Sequence, residues 1–468
     1  MQNVTNSAAE LLTKLRLSSM DLRFVAAYAL VLIAAALLTP LRVPEVLSLG
    51  WSVHFSWSGF WTWISRALDP SPLAYLIQLP FVLAFGASRL GPRIPGILFA
   101  AVSCVLFLRL AQRAAVKRHY EALLLFMLLP VQLLAVMAST QYEMATVFVL
   151  FTTLAFFDLV AQPSYKTGAI FAIAVTICLY TDRHAALPAV GAVLFLLRFS
   201  GRPRERQAVW FALASCLAAA TMYFPYYVWA HRKADPYWLV EPGLSVSRFA
   251  NGTIVEWALA AAVLIILAGI IGGAGVSFRL PISQVKRRLI LFCLFGSVIV
   301  TLAFIVSSSL YMLYPLATRD LLYAAPSAVI VFVMTVDWLM EKTALRIPIA
   351  AVAITVLVVC ALTDIEWVTS PKENIALESR YIAPELTGDS CVIFVSLGYS
   401  STLFLVFQPQ LESRQCQDYF HHRIVLANHP YVRPDQQADA EGYFRGLNFR
   451  VAKRIRSGGG EIVVEQNN

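Results

Sequence analysis

Five short stretches hold most of the side chains that could do chemistry. Asp69 lies in SRALDPSPLAYLIQLP together with Arg66 and Tyr75, and Glu143 lies in STQYEM. Asp182, Arg183 and His184 are consecutive in YTDRH, Arg319 and Asp320 are neighbours in YPLATRDLLY, and Glu45 precedes them all in RVPEVLSLGW. Each stretch borders an apolar run, and few ionisable residues sit inside those runs. Carboxylates and guanidiniums gathered along one side of apolar sequence suit a substrate with a lipid tail and a polar head. The scarcity of mid-run charge argues against a pump or carrier, which usually places charge near the bilayer midplane.

Structural readings stand beside the chemical ones. Asp69 before Pro70 and Pro72 is a good helix N-cap. Arg319 could snorkel to an interface, and Asp182 with Arg183 could form an internal pair. Glu143 and His184 fit structural roles as readily as substrate contact. No CxxC or His-rich cluster suggests a metal, and no cofactor is expected.

The elements that must position these residues are membrane helices. The 468 residues are 59% hydrophobic and 14% charged, where a soluble domain carries roughly a quarter charged residues. Apolar runs recur near 24–41, 93–111, 120–138, 143–161, 168–181, 184–198, 207–228, 254–277, 289–307, 318–339 and 346–366. That predicts about eleven spans of a polytopic, all-α membrane bundle. The net charge of +9 is explained by loops rather than by nucleic acid. With the amino terminus cytoplasmic, RLAQRAAVKRH, RFSGRPRERQ and RLPISQVKRR all fall inside, as the positive-inside rule requires.

That topology predicts a cytoplasmic segment 1–23, a transmembrane domain 24–366 and an external domain 367–468. The first external loop, 42–92, is too long for a simple connector. Its four tryptophans, Trp51, Trp57, Trp61 and Trp63, suit an interfacial helix over 51–68 and secondarily a lipid-binding surface. The apolar stretch after Asp69 reads as a second juxtamembrane helix, because a crossing there would turn every basic loop outward. In the tail, CVIFVS, RIVLAN and EIVVEQ read as strands of a small α/β domain, the last in a hairpin around Gly458–Gly460. Cys391 and Cys416 lie there, where a disulfide is permitted, though spacing alone leaves their pairing open.

The segment DPSPLAYLIQLPFVLAFGASRLGPRIPGILFAAVSCVLFLRLA resembles the GT-C membrane glycosyltransferases, specifically the protein O-mannosyltransferase and lipid A aminoarabinose transferase relatives. STQYE, LYTDRHAAL and YPLATRDLLYAAPSAVIV follow in the family's order, so the resemblance covers roughly 24–366. It implies a bacterial inner-membrane enzyme with a periplasmic carboxyl-terminal domain. The donor would be a polyprenyl-phosphate sugar and the acceptor a lipid, glycan or protein. It also implies a carboxylate base and an arginine on the donor phosphate. Asp69 and Glu45 are the candidate bases; Arg319 is the candidate phosphate ligand, with Arg183 and Arg66 in reserve. Tyr75, Glu143, Asp182, His184 and Asp320 are the candidate substrate contacts. One departure matters: Leu49–Gly50 stand where the family carries an Asp-Glu pair. That keeps a second reading open, a non-catalytic relative or flippase that binds lipid-linked glycans.

Overall fold

The computed structural model describes residues 18–41, 45, 49, 56–64, 72–86, 88–138, 140–197, 203–231, 322–342, 346–369, 380–386, 390–395, 409–416, 423–428, 441–445, 447–457 and 460–467. The runs expected to span near 254–277 and 289–307 lie outside these residues. So do Arg66, Asp69, Arg319 and Asp320.

Among the described residues the helices are α1 (Ser19–Leu38), α2 (Trp57–Ile64), α3 (Pro72–Phe85), α4 (Ile94–Arg113), α5 (His119–Met127) and α6 (Pro130–Ala138). They continue with α7 (Thr140–Ala161), α8 (Tyr165–Thr181), α9 (Leu187–Leu197), α10 (Pro203–His231), α11 (Ala325–Lys342) and α12 (Arg346–Thr369). The runs Ser19–Leu38, Ile94–Arg113, Tyr142–Ala161 and Glu205–Pro225 are long and apolar enough to cross a bilayer. The chain is a multi-pass membrane protein.

Ion pairs and caps define the two ends of the bundle. α1 starts in a capping box: the Asp21 N–H donates to Ser18 Oγ at 3.1 Å and the Ser18 N–H to Asp21 Oδ2 at 2.8 Å. Tyr120 at the start of α5 donates to Asp21 Oδ1 at 3.0 Å. Arg113, ending α4, reaches Asp158 near the end of α7 at 2.7 Å, and Arg118 pairs with Asp337 of α11 at 3.0 Å. These contacts gather the start of α1 and the ends of α4, α7 and α11 at one basic end. The opposite end holds Thr39 and Arg93.

Between the ends the packing is apolar and close. Phe107 of α4 stacks on Phe126 of α5 with centroids 4.5 Å apart. α8 and α10 run side by side, with Tyr180 against Tyr223. A Cβ on Gly168 would lie 3.0 Å from the Ala208 carbonyl oxygen, so glycine permits that approach, as small residues do between membrane helices.

One expected span is interrupted. The run near 120–138 is two helices, α5 and α6, meeting at Leu128–Leu129. Pro130 has no N–H to continue the ladder. The turn closes locally instead, the Leu128 N–H bonding to Leu124 O at 3.0 Å and the Leu129 N–H to Phe126 O at 3.4 Å.

The carboxyl-terminal strands form one sheet in the order β1-β2-β4-β3, comprising β1 (Ser390–Val395), β2 (Arg423–Asn428), β3 (Phe449–Ser457) and β4 (Gly460–Asn467). β1 and β2 are parallel, and β3–β4 is an antiparallel hairpin with a register shift between Val451 and Lys453. The two central strands are buried on both faces, with Ile424 to Ala427 and Ile462 to Val464 all but inaccessible. Ile424, Leu426, Val463 and Phe449 pack with Phe444, while Lys453 carries Glu385 at 2.5 Å. Cys391 and Cys416 form a disulfide, with Cα atoms 5.0 Å apart.

Candidate active site

The site is built at the Arg93 end of the bundle, where the carboxyl end of α1 meets the start of α4 and α8 ends against α3 and α7. Arg93 organises the first part. Its Nη1 donates to the Ala36 and Thr39 carbonyl oxygens at 2.8 and 3.0 Å and to Thr39 Oγ1 at 2.9 Å. Its Nη2 donates to Pro40 O at 2.8 Å. One guanidinium thus caps the carbonyls that end α1, where cationic charge also suits the helix dipole. The remaining donors meet Glu45: Nε to Oε1 at 2.5 Å and Nη2 to Oε2 at 2.7 Å. Both side chains are buried, at 1% and 3% exposure. Arg89 adds a fourth carbonyl, Leu37 O, at 2.7 Å.

Glu45 therefore has both carboxylate oxygens engaged by a buried arginine. In this geometry the pair links residue 45 to the start of α4.

The second part joins two motifs far apart in sequence. Asp182 ends α8 in extended backbone, its N–H still bonding to Cys178 O at 2.9 Å. A 3-10 turn follows, Arg183–Ala186. The Asp182 carboxylate accepts a short hydrogen bond from Tyr323 Oη, and both residues are buried. Leu322 and Tyr323 pack among Tyr142, Ala145, Val149, Cys178 and Ala185. Leu322 and Tyr323 are thereby seated on the YTDRH turn and on the start of α7. Arg183 and His184 are placed by backbone in that turn; their side chains lie outside what is described.

The third part is the juxtamembrane pair. α3 packs on α4, α7 and α8, and Gln78 donates to Pro92 O at 3.3 Å. Tyr75 is buried against Phe60 of α2 with Leu76 and Leu79 alongside. Trp57 and Trp61 are exposed, one helical turn apart on α2, which suits a membrane-surface helix.

Glu143 sits apart, deeper in the bundle. Its Oε1 accepts from Ser103 Oγ at 2.8 Å and from Gln132 Nε2 at 2.6 Å. The structure therefore brings Asp182 to the Tyr323 segment, pairs Glu45 with Arg93, and gives Glu143 its own buried partners. Sequence reading missed Arg93 and Tyr323 as site-building residues. The signal for Arg93 was its place before Ile94–Pro95 at a span start; for Tyr323 it was its closeness to Arg319.

The fold and this one-sided polar site belong to a class of multi-pass membrane bundles with juxtamembrane helices. No family model matches the chain, and no curated protein matches it. In fold it is similar to ArnT from Cupriavidus metallidurans in the apo state, with a TM-score of 0.56 and 14% identity over 95% of this chain and 97% of that one. The same protein bound to undecaprenyl phosphate gives 0.57 and 13% over 96% and 98%. ArnT is the lipid A aminoarabinose transferase, a GT-C glycosyltransferase. The fold resemblance expected from sequence is thus found along nearly the whole chain.

Proposed function

We propose that this protein is a polyprenyl-phosphate-sugar-dependent glycosyltransferase of a bacterial inner membrane, acting at the periplasmic face. The observation that carries this reading is the end-to-end fold match to a transferase captured with undecaprenyl phosphate. The polar groups that end α1, α8 and the loop before α11 support it, since they collect at one end of an apolar bundle. Among the described residues, Arg113 and Arg118 lie at the other end, which favours a cytoplasmic amino terminus and a periplasmic sheet domain.

In the proposed reaction a carboxylate takes the proton of the acceptor hydroxyl. That oxygen then attacks the anomeric carbon, and the bond from carbon to phosphate oxygen breaks with inversion. The electron pair leaves on the polyprenyl phosphate, whose charge an arginine stabilises. With Glu45 engaged by Arg93, Asp69 is the base and Arg319 the phosphate ligand, with Arg183 and Arg66 flanking. Tyr75, Asp182, His184 and Asp320 shape the polar rim. The acceptor is a lipid, glycan or protein hydroxyl.

A second reading has a specific observation behind it. Glu45 is sequestered and Leu49–Gly50 replace the family's acid pair, which favours a relative that binds or flips lipid-linked glycans without transfer. Purified protein separates the two. Sugar transfer from a polyprenyl-phosphate donor supports the enzyme; tight donor binding with no turnover supports the binder.

A further inference from the structure

A cluster of buried polar atoms lies between α1, α4, α6 and α7. Glu143 and Gln132 are fully buried, and Tyr28 is 6% exposed. Ser103 and Gln132 both donate to Oε1 of Glu143. Its Oε2 has no partner among the described residues, and the same holds for Gln132 Oε1, Tyr28 Oη and Asp364 Oδ1. Gln132 is bonded to Glu143 through its own amide, and Tyr28 belongs to the same packed core as Cys104, next to Ser103, and Leu133, next to Gln132. Ser103 is ten residues past Arg93 along α4, or ~15 Å of helix, so this cluster is distinct from the polar rim.

An isolated carboxylate in such surroundings is costly unless its charge is balanced. No Lys, Arg or His among the described residues bonds to Glu143. The open atoms are hard oxygens, two of them on the carboxylates of Glu143 and Asp364. A divalent ion is a poor match: magnesium keeps its waters and calcium takes several carboxylates. Among the described residues there is no group of three or more His, Cys, Asp or Glu that could hold a metal.

We propose that Glu143 Oε2, Gln132 Oε1 and Tyr28 Oη form an intramembrane binding site for a dehydrated monovalent cation of the sodium–potassium class. The cation neutralises Glu143 and ties α1 to α6 and α7 across the break at Leu128–Leu129. The site is independent of the glycosyltransfer reading and is tested without activity.

The test is thermal unfolding of the purified full chain in sodium, potassium or choline chloride at equal ionic strength. A saturable rise of about 2–4 °C in sodium or potassium over choline is expected for the wild type. Glu143→Gln should abolish the response, and Tyr28→Phe, which keeps the ring, should weaken it at least several-fold in half-saturating concentration. Bound radioactive sodium, displaced by excess unlabelled cation, should follow the same order. Equal midpoints in all three salts would overturn the proposal. So would a cation response that survives Glu143→Gln, or a protonated-carboxyl stretch, lost in Glu143→Gln, that neither alkali cation removes.

Discussion

Tyr323 and Asp182 are 141 residues apart in sequence and share a buried hydrogen bond. The bond fastens the segment that follows Arg319 to the turn that carries Arg183 and His184. Two polar stretches that look separate along the chain are one piece of the rim.

Tyr323→Phe removes the donor and leaves the Asp182 carboxylate buried without it. A loss of about 1–3 kcal/mol is expected, read as a lower thermal midpoint. If the bond also positions the rim, transfer should fall more through kcat than through KM. Asp182→Asn, which can still accept from Tyr323, should lose less stability.

Arg93 and Glu45 make a sharper prediction. Breaking a buried pair from one side strands a charge, at a cost of about 3–5 kcal/mol. Arg93→Met alone should therefore unfold or mislocalise the protein. Glu45→Leu added to it should recover part of the loss, though not all, because the α1 carbonyls stay uncapped. Size-exclusion profiles of heated samples would measure this. Glu45→Gln should also lower stability, yet the protein that stays folded should keep transfer; abolished transfer in a folded Glu45→Gln protein would return Glu45 to the role of base.

Much of this was legible in the sequence, and the limits have physical causes. α1, α4, α7, α8 and α12 follow from unbroken apolar runs, and β1, β2 and the β3–β4 hairpin from short β-branched runs bounded by turn residues. The break between α5 and α6 was not anticipated. Hydropathy averages across Pro130, while the backbone cannot. The Asp182 turn was singled out, but its partner was not, because Tyr323 lies on a distant segment and no local spacing encodes a tertiary bond. Arg93 was noticed only as part of a motif; three of its four partner residues, Ala36, Thr39 and Pro40, lie more than 50 positions upstream and are met mainly through backbone carbonyls that any sequence possesses.

Close packing at Gly168 gives a prediction free of charge. Gly168→Ala places a methyl 3.0 Å from the Ala208 carbonyl oxygen and should cost about 1 kcal/mol through a small shift of α10. Gly168→Val should cost more, about 2–3 kcal/mol, because both branches must find room. Paired thermal midpoints of the two variants provide the check.

Glu465 supplies the pH dependence of the sheet. Burial raises its carboxyl above the usual range and Glu441 raises it further, while Arg454 and Arg445 oppose the shift. The folded state therefore holds this proton more tightly than the unfolded chain does, whose carboxyl titrates near pH ~4.3. The resulting stabilisation is fully present below that value and is lost as pH rises through the folded value. Glu465→Gln should raise the unfolding midpoint of the sheet by about 1–2 °C at neutral pH, with the advantage vanishing near pH 4. Protease nicking of the carboxyl-terminal region against temperature would report it.

The most direct measurement is sugar transfer by purified protein from a polyprenyl-phosphate donor, comparing wild type with Asp69→Asn and Arg319→Ala. The account predicts turnover by wild type and a loss of at least ~100-fold in each folded variant, with donor binding kept in Asp69→Asn and weakened in Arg319→Ala. Wild-type protein that binds the donor tightly yet transfers nothing would contradict it.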